Sequence, residues 1–266
     1  MNIIAIIPAR YSSTRFTGKP LADICGKPML WWVYNQVRKV KSFNEVVAAI
    51  DDERLQKVCE EYDIPFVMTK NNHPEHISRV HEVSEKIKAD LYVCVNGDEP
   101  LISPVCIETV LSKVNIEDNF FTGAMRKLTD PAETIDSANL KVVATETGRC
   151  VYISRTPVPY PKGTLLFDYN KYVGIECFSK EALDFFVSTP QGIIEKTEDI
   201  DHLRFLEHGK VLNFIPVESE SISVDTPKDL EKVRIMAKQT INEYKQMGGV
   251  IFIILNTCSL QERRVA

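Results

Sequence analysis

The chain has 266 residues, 44% of them hydrophobic, which suffices for one large α/β core with at most a small excursion. Its formal charge of −5 argues against a general nucleic-acid binder. Seven scattered cysteines without a C-x-x-C pair exclude a zinc ribbon or a disulfide framework and read as reduced thiols.

The first predicted element is a buried parallel strand over residues 3–7, an apolar run bounded by Pro8. It shows no basic n-region and no cleavage site, and the late apolar run at 250–255 is too short to span a bilayer. A cytoplasmic protein with no membrane partner is the expectation. A loop follows that holds Arg10, Arg15 and Lys19 among Ser12, Ser13 and Thr14, with a glycine at Gly18. Strand, cationic turn and helix in that order place anions at the carboxyl edge of an α/β sheet. Backbone N–H groups, hydroxyls and fixed charges there can share the load of a triphosphate. In an otherwise acidic chain, this cluster favours a phosphate site over a merely solvated basic loop.

Residues 29–40 carry Leu30, Val33, Tyr34 and Val37 at helical spacing, with Trp31 and Trp32 read as packing residues. A strand at 45–50 precedes Asp51 and Asp52, read as caps of a helix over 52–62, and a third strand covers 65–68. The segment 70–79, KNNHPEHISR, holds His73, Glu75 and His76, with His81 beyond. Its H-x-E-H order matches no familiar zinc spacing, so these are read as solvated loop residues or nucleotide contacts.

The most hydrophobic strand, 91–95, runs into Asn96-Gly97-Asp98-Glu99-Pro100. A buried strand ending in Gly-Asp puts a carboxylate at the sheet's carboxyl edge, where glycine allows close approach of a phosphate. A hard cation such as Mg²⁺ takes oxygen ligands of that kind. A turn or cap ahead of Pro100 is the plainer alternative. A helix at 103–114, a strand at 120–125 and a connection at 131–137 follow. Residues 139–144 and 150–154 flank Thr147-Gly148 as a β-hairpin. Ser154-Arg155-Thr156-Pro157-Val158-Pro159-Tyr160 reads as a rigid extended lip with one arginine. Helices at 179–189 and 198–209 come next, the second closed by Gly209, then a strand at 211–216. Thr226 is a natural N-cap and Pro227 a natural first residue of a long helix over 227–247. Helix geometry leaves Asp225 unexplained. For 248–266 an edge strand, an oligomer contact and a tail all stay open.

Several of these strings occur in order in one known family. Ile7-Pro8-Ala9-Arg10, Ser13-Thr14-Arg15, Gly18-Lys19-Pro20-Leu21 and Gly26-Lys27-Pro28-Met29 open the match, and Gly97-Asp98-Glu99-Pro100-Leu101-Ile102 and Val224-Asp225-Thr226-Pro227 continue it. Over nearly its whole length the chain resembles the 3-deoxy-manno-octulosonate cytidylyltransferase family. The resemblance implies a Rossmann-like, GT-A-like nucleotidyltransferase: a three-layer α/β sandwich with a mainly parallel central sheet. It implies one domain over 1–247, with a β-rich excursion at 139–180 that serves as sugar lip and homodimer contact. Nucleotide contacts would be Ala9, Arg10, Ser13, Arg15, Lys19, His73, Arg79 and Asp98. Asp98 and Asp225 would hold Mg²⁺, and with Arg10 and Lys19 would form the catalytic set. Acceptor contacts would be Asn96, Tyr172, Glu176, Asp201 and His202, with Arg155 on the sugar acid's carboxylate.

The sequence departs from the family pattern around that acceptor. Asn96 stands for Gln, Glu75-His76-Ile77-Ser78 for a Ser-Gly-Thr-acid run, Tyr172 and Glu176 for His and Tyr, and Asp201-His202 for Glu-Gln. The implied reaction is attack of an acceptor hydroxyl on the α-phosphorus of CTP with loss of pyrophosphate. The implied partners are CTP and a small acidic acceptor, Kdo-like but with an altered pocket. A phosphomonoester acceptor and a catalytically silent nucleotide-binding scaffold are the alternatives.

Overall fold

The computed structural model describes residues 1–12, 16–117, 120–163 and 167–246. β1 (Ile3–Ala9) obeys the period-two rule of a strand buried on both faces. Ile3, Ala5, Ile7 and Ala9 enter one hydrophobic core, and Ile4 and Ile6 the other. A small hairpin, β2 (Asp23–Ile24) with β3 (Lys27–Pro28), leads into α1 (Met29–Val37). Trp31 and Trp32 are buried there, and the Trp32 indole N–H donates to the Ile24 carbonyl at 2.7 Å, the packing role expected of them. β4 (Glu45–Ile50), α2 (Glu53–Glu61) and β5 (Phe66–Met68) follow. The Asp52 side chain caps α2 by accepting the Arg54 N–H at 2.9 Å.

The segment read as a loop then turns helical. α3 (His76–Lys86) opens at His76, because Ile77, Val80 and Val83 share one buried face. β6 (Leu91–Val95), α4 (Pro104–Leu111) and β7 (Phe121–Lys127) follow, and α5 (Pro131–Ile135) occupies the expected connection. β8 (Lys141–Ala144) and β9 (Cys150–Ser154) pair antiparallel, as the hairpin reading requires. β10 (Asn170–Phe178) touches β8 at Asn170 and Lys171, then enters the central sheet between β6 and β7. The excursion therefore ends earlier than 180, since Val173 to Phe178 are buried sheet residues.

After α6 (Lys180–Ser188) comes a helix the sequence reading does not include, α7 (Ile193–Glu198), and the helix expected over 198–209 is the shorter α8 (Leu203–Glu207). They separate at Asp199, whose φ of 53° is left-handed, a conformation Asp tolerates better than most residues. β11 (Leu212–Pro216) and α9 (Pro227–Gln246) complete the described chain. At the start of α9 the Thr226 hydroxyl donates to Asp229 Oδ2 at 2.7 Å and accepts the Asp229 N–H at 3.3 Å, a reciprocal cap. The segment 248–266 lies outside the described residues.

The sheet order is β11–β7–β10–β6–β1–β4–β5. β10 runs antiparallel to both neighbours, whereas β1 with β4, β1 with β6, β4 with β5 and β7 with β11 are parallel. Residues of α1, α4 and α9 fill the core on one face, and those of α3, α6 and α8 the core on the other, which makes the expected three-layer sandwich. Cys59, Cys94, Cys106, Cys150 and Cys177 are buried free thiols, and burial pushes Cys59 and Cys150 up to about 12. No helix among the described residues is long and apolar enough to cross a membrane.

Candidate active site

Three segments meet at the carboxyl edge of this sheet. Gly97 turns so close to β1 that a Cβ there would stand 2.5 Å from the Pro8 carbonyl oxygen, so only glycine lets β6 end beside it. Asp98 follows immediately. Its carbonyl accepts the Val224 N–H at 2.9 Å, and that one bond brings Asp225 alongside despite the distance in sequence. Lys19 arrives from a single 3₁₀ turn, Lys19–Leu21, launched by Gly18 at a left-handed φ of 71°. Its Nζ lies 2.9 Å from Asp98 Oδ2 and 3.8 Å from Asp225 Oδ1. Arg10 borders the same cavity, which measures about 320 Å³. The four residues expected to be catalytic thus share one place.

The other oxygen of Asp98, Oδ1, is buried and accepts no hydrogen bond among the described residues. A buried carboxylate oxygen left without a partner is costly. With Asp225 beside it, the pair offers the hard oxygen donors that a small divalent cation takes, so the residues present fit such an ion.

Ala9, Arg10, Lys19, His73, Arg79 and Asp98 all border the cavity. Ser13 and Arg15, the remaining expected nucleotide contacts, lie outside the described residues. Arg79 is 3% exposed, and its guanidinium donates to Asp51 Oδ2 at 2.9 Å and to the Thr69 hydroxyl at 2.5 Å. Asp51 Oδ1 accepts the Tyr11 N–H at 2.9 Å, and the Tyr11 carbonyl accepts the Gly18 N–H at 2.9 Å. So Asp52 caps α2 as expected, but Asp51 does something else. It is the post that ties both ends of the cationic loop to Arg79.

Of the expected acceptor contacts, Asn96 and Asp201 border the cavity, while buried Glu176 and His202 and half-buried Tyr172 form a layer that does not border it. Glu176 is fully buried and is the hub. His76 Nε2 lies 2.9 and 3.0 Å from its two oxygens, His202 Nε2 lies 2.9 Å from Oε1, and the Tyr172 hydroxyl donates to Oε1 at 2.5 Å. His76 Nδ1 faces Asp201 Oδ2 at 3.4 Å. Burial alone would lower His76 and raise Glu176, but the facing charges outweigh it. His76 is held well above the usual imidazole range, between Glu176 and Asp201, and Glu176 is held well below the usual carboxylate range by His76 and His202.

Gly174 makes room for this layer, since a Cβ there would stand 2.6 Å from Asn96 Cβ. Arg155 is placed differently. It is not among the residues bordering the cavity, and its guanidinium donates to the Glu198, Ser137 and Asp199 carbonyls at 2.6, 3.2 and 2.8 Å. Glu75, His76 and Asp199, none of them expected as acceptor contacts, do border the cavity.

The chain matches known proteins over most of its length. Residues 4–218 match a family model described as Cytidylyltransferase. The chain is 34% identical over 240 residues to the 3-deoxy-manno-octulosonate cytidylyltransferase of Escherichia coli, covering 90% of this chain and 98% of that one. It is 37% identical over 245 residues to the protein of the same name from Geobacter sulfurreducens, covering 88% and 98%. A solved structure of CMP:2-keto-3-deoxy-manno-octonic acid synthetase complexed with CTP matches with a TM-score of 0.86 at 33% identity, over 90% of this chain and 100% of that one. A 4-diphosphocytidyl-2C-methyl-D-erythritol synthase from Anaerococcus prevotii shares the fold, with a TM-score of 0.60 at 14% identity.

Proposed function

Because the chain belongs to the cytidylyltransferase family, and is thus a nucleotidyltransferase, we propose that it activates a 2-keto-3-deoxy sugar acid of the 3-deoxy-manno-octulosonate type. CTP is the donor, and the products are the CMP-linked sugar, destined for surface polysaccharide, and pyrophosphate. The observation that carries this reading is the meeting of Lys19, Asp98 and Asp225 at one sheet edge, in a cavity that Arg10 also borders.

In this reading an acceptor hydroxyl forms a bond to the α-phosphorus in line with the departing pyrophosphate, and the hydroxyl proton is lost. Little covalent work falls to the protein. Arg10 and Lys19 orient the phosphates and neutralise their charge, which supplies most of the catalysis in reactions of this kind. Asp98 and Asp225 would hold Mg²⁺, which when bound supplies further charge neutralisation at the phosphates. Asn96 and Asp201 face the acceptor. Glu75, Asp199 and Asp201 make that end of the cavity acidic, which disfavours a doubly charged phosphomonoester more than a singly charged sugar acid. The buried, unpartnered Asp98 Oδ1 weighs against a silent scaffold.

Pyrophosphate release is the assay, run with each of the four NTPs and Mg²⁺ against Kdo, nonulosonates and phosphomonoesters. Release with CTP and a keto-sugar acid is expected. Release with a phosphomonoester alone would replace the acceptor class, and silence across the panel would remove the reading. A cytoplasmic homodimer that uses the part of the 139–180 excursion outside the buried sheet residues as its contact belongs to the same proposal. Elution as a monomer at micromolar concentration would exclude the dimer.

A further inference from the structure

We propose that His76, Glu176 and His202 form a second cation site, one suited to a borderline transition ion, with Zn²⁺ the best match. The three residues come from the start of α3, from β10 and from the turn before α8, and nothing in the reaction above requires them to converge. Yet one ligand atom from each lies within 4.8 Å of the others. The contacts of His76 Nε2 and His202 Nε2 with the Glu176 oxygens span 2.9–3.0 Å. A tetrahedral zinc with nitrogen and oxygen ligands needs those atoms about 3.4 Å apart, given bond lengths of about 2.0–2.2 Å. Opening the cluster by a few tenths of an ångström would admit the ion.

The surroundings are those of a built site. Asp201 stands 3.4 Å from His76 Nδ1, so with a proton kept there an ion would take the place of the proton that Nε2 shares with Glu176. The Tyr172 hydroxyl donates to Glu176 at 2.5 Å, and Asn96 Nδ2 donates to that hydroxyl at 3.3 Å. Outer partners of this type orient ligands, and of these contacts the one from Asp201 also raises the basicity of its ligand, His76. Glu176 and His202 are buried and His76 faces the cavity, from which a water would supply the fourth ligand beside the three protein ones. Two imidazole nitrogens and one carboxylate prefer Zn²⁺ to Mg²⁺, whereas the Asp98–Asp225 pair has the opposite preference. The two sites would therefore sort two metals within one cavity wall.

The rival account is a hydrogen-bonded triad with no ion, and metal content decides between them. The full chain is stripped with a chelator, dialysed against Zn²⁺ in excess Mg²⁺, and its zinc measured; Co²⁺ is then titrated and its visible spectrum recorded. Expected are one zinc per chain and the spectrum of four-coordinate Co²⁺. Glu176→Gln and His202→Asn should abolish both, and Asp201→Asn should weaken zinc binding roughly 10–100-fold. His76→Gln, at the cavity rim, covers the case in which a buried variant fails to fold. Asp98→Asn and His81→Ala should bind zinc normally, the latter because His81, Glu85 and Asp184 are the other cluster that could capture the ion. Zinc content no higher in the wild type than in His76→Gln, or zinc lost with His81→Ala, would overturn the proposal. Neither readout uses CTP or turnover, so this inference and the cytidylyl-transfer reading fail separately.

Discussion

Asp98→Asn is expected to lower kcat for pyrophosphate release by about 10²–10³-fold, the range for deleting one preorganised electrostatic partner. The substitution keeps side-chain shape and replaces one oxygen by an NH₂ group that cannot ligate a cation. It also takes from Lys19 Nζ the carboxylate 2.9 Å away. The backbone bond from the Val224 N–H to the Asp98 carbonyl is untouched, so Asp225 stays where it is and far-UV circular dichroism should not change. The loss should fall on kcat more than on KM, because the charge that Asp98 manages develops on the way to the transition state. A variant that turns over at the wild-type rate would remove Asp98 from the chemistry.

The second large effect is on stability. Arg204→Met should destabilise the fold by about 3–5 kcal/mol, because it strands a buried carboxylate. Arg204 Nε and Nη2 donate to the two oxygens of Glu195 at 2.8 and 2.6 Å, and Nη1 donates to the Phe186 carbonyl at 2.8 Å. Glu195 is 2% exposed and Arg204 6%. The guanidinium carbon also lies 3.8 Å from the centroid of the Phe186 ring, so one side chain joins α6, α7 and α8. For a domain of this size the melting temperature should fall by roughly 6–20 °C. The double variant Arg204→Met/Glu195→Leu should recover much of that, since it removes both charges of the close pair and leaves only Glu75, 4.0 Å from Arg204 Nη2, without its cation. A single variant that melts with the wild type would show that the pair contributes nothing net. Turnover well below the melting temperature should survive, the reverse of Asp98→Asn.

The two halves of the site were unequally legible in the sequence. Asp98 and Asp225 each end a run whose period and capping residues can be read locally, and Thr226 and Asp229 account for the helix start without Asp225. The Arg10 to Lys19 loop is likewise continuous in sequence. Asp51 was misread because Asp-Asp before a helix looks like two caps, and only the fold shows Tyr11 and Arg79 converging on the first of them. His76 looked like a loop histidine because the buried face that makes α3 a helix lies beyond it, at Ile77, Val80 and Val83. Its partners Glu176 and His202 could be suspected individually, but their meeting depends on β10 entering the sheet beside β6. The late start of α8 had no local signal, since the apolar spacing of Leu203 and Leu206 already begins at Ile200. Arg155 was legible as a single arginine on a proline-rich lip, and its use by three backbone carbonyls was not.

The buried thiols have a consequence beyond packing. A thiolate, not a thiol, attacks an alkylating reagent. Burial keeps Cys59 and Cys150 protonated up to about 12 and pushes Cys94, Cys106 and Cys177 upward as well. In neutral solution these sulfurs can be captured only when their surroundings open, so the rate of labelling is a measure of opening. They are also distributed usefully. Cys59 is in α2, Cys106 in α4, Cys94 and Cys177 are in adjacent central strands, and Cys150 is in the hairpin arm. Half-buried Cys25 supplies the early signal. The chain thus carries its own set of clocks, able to tell the loosening of an edge from the parting of the sheet.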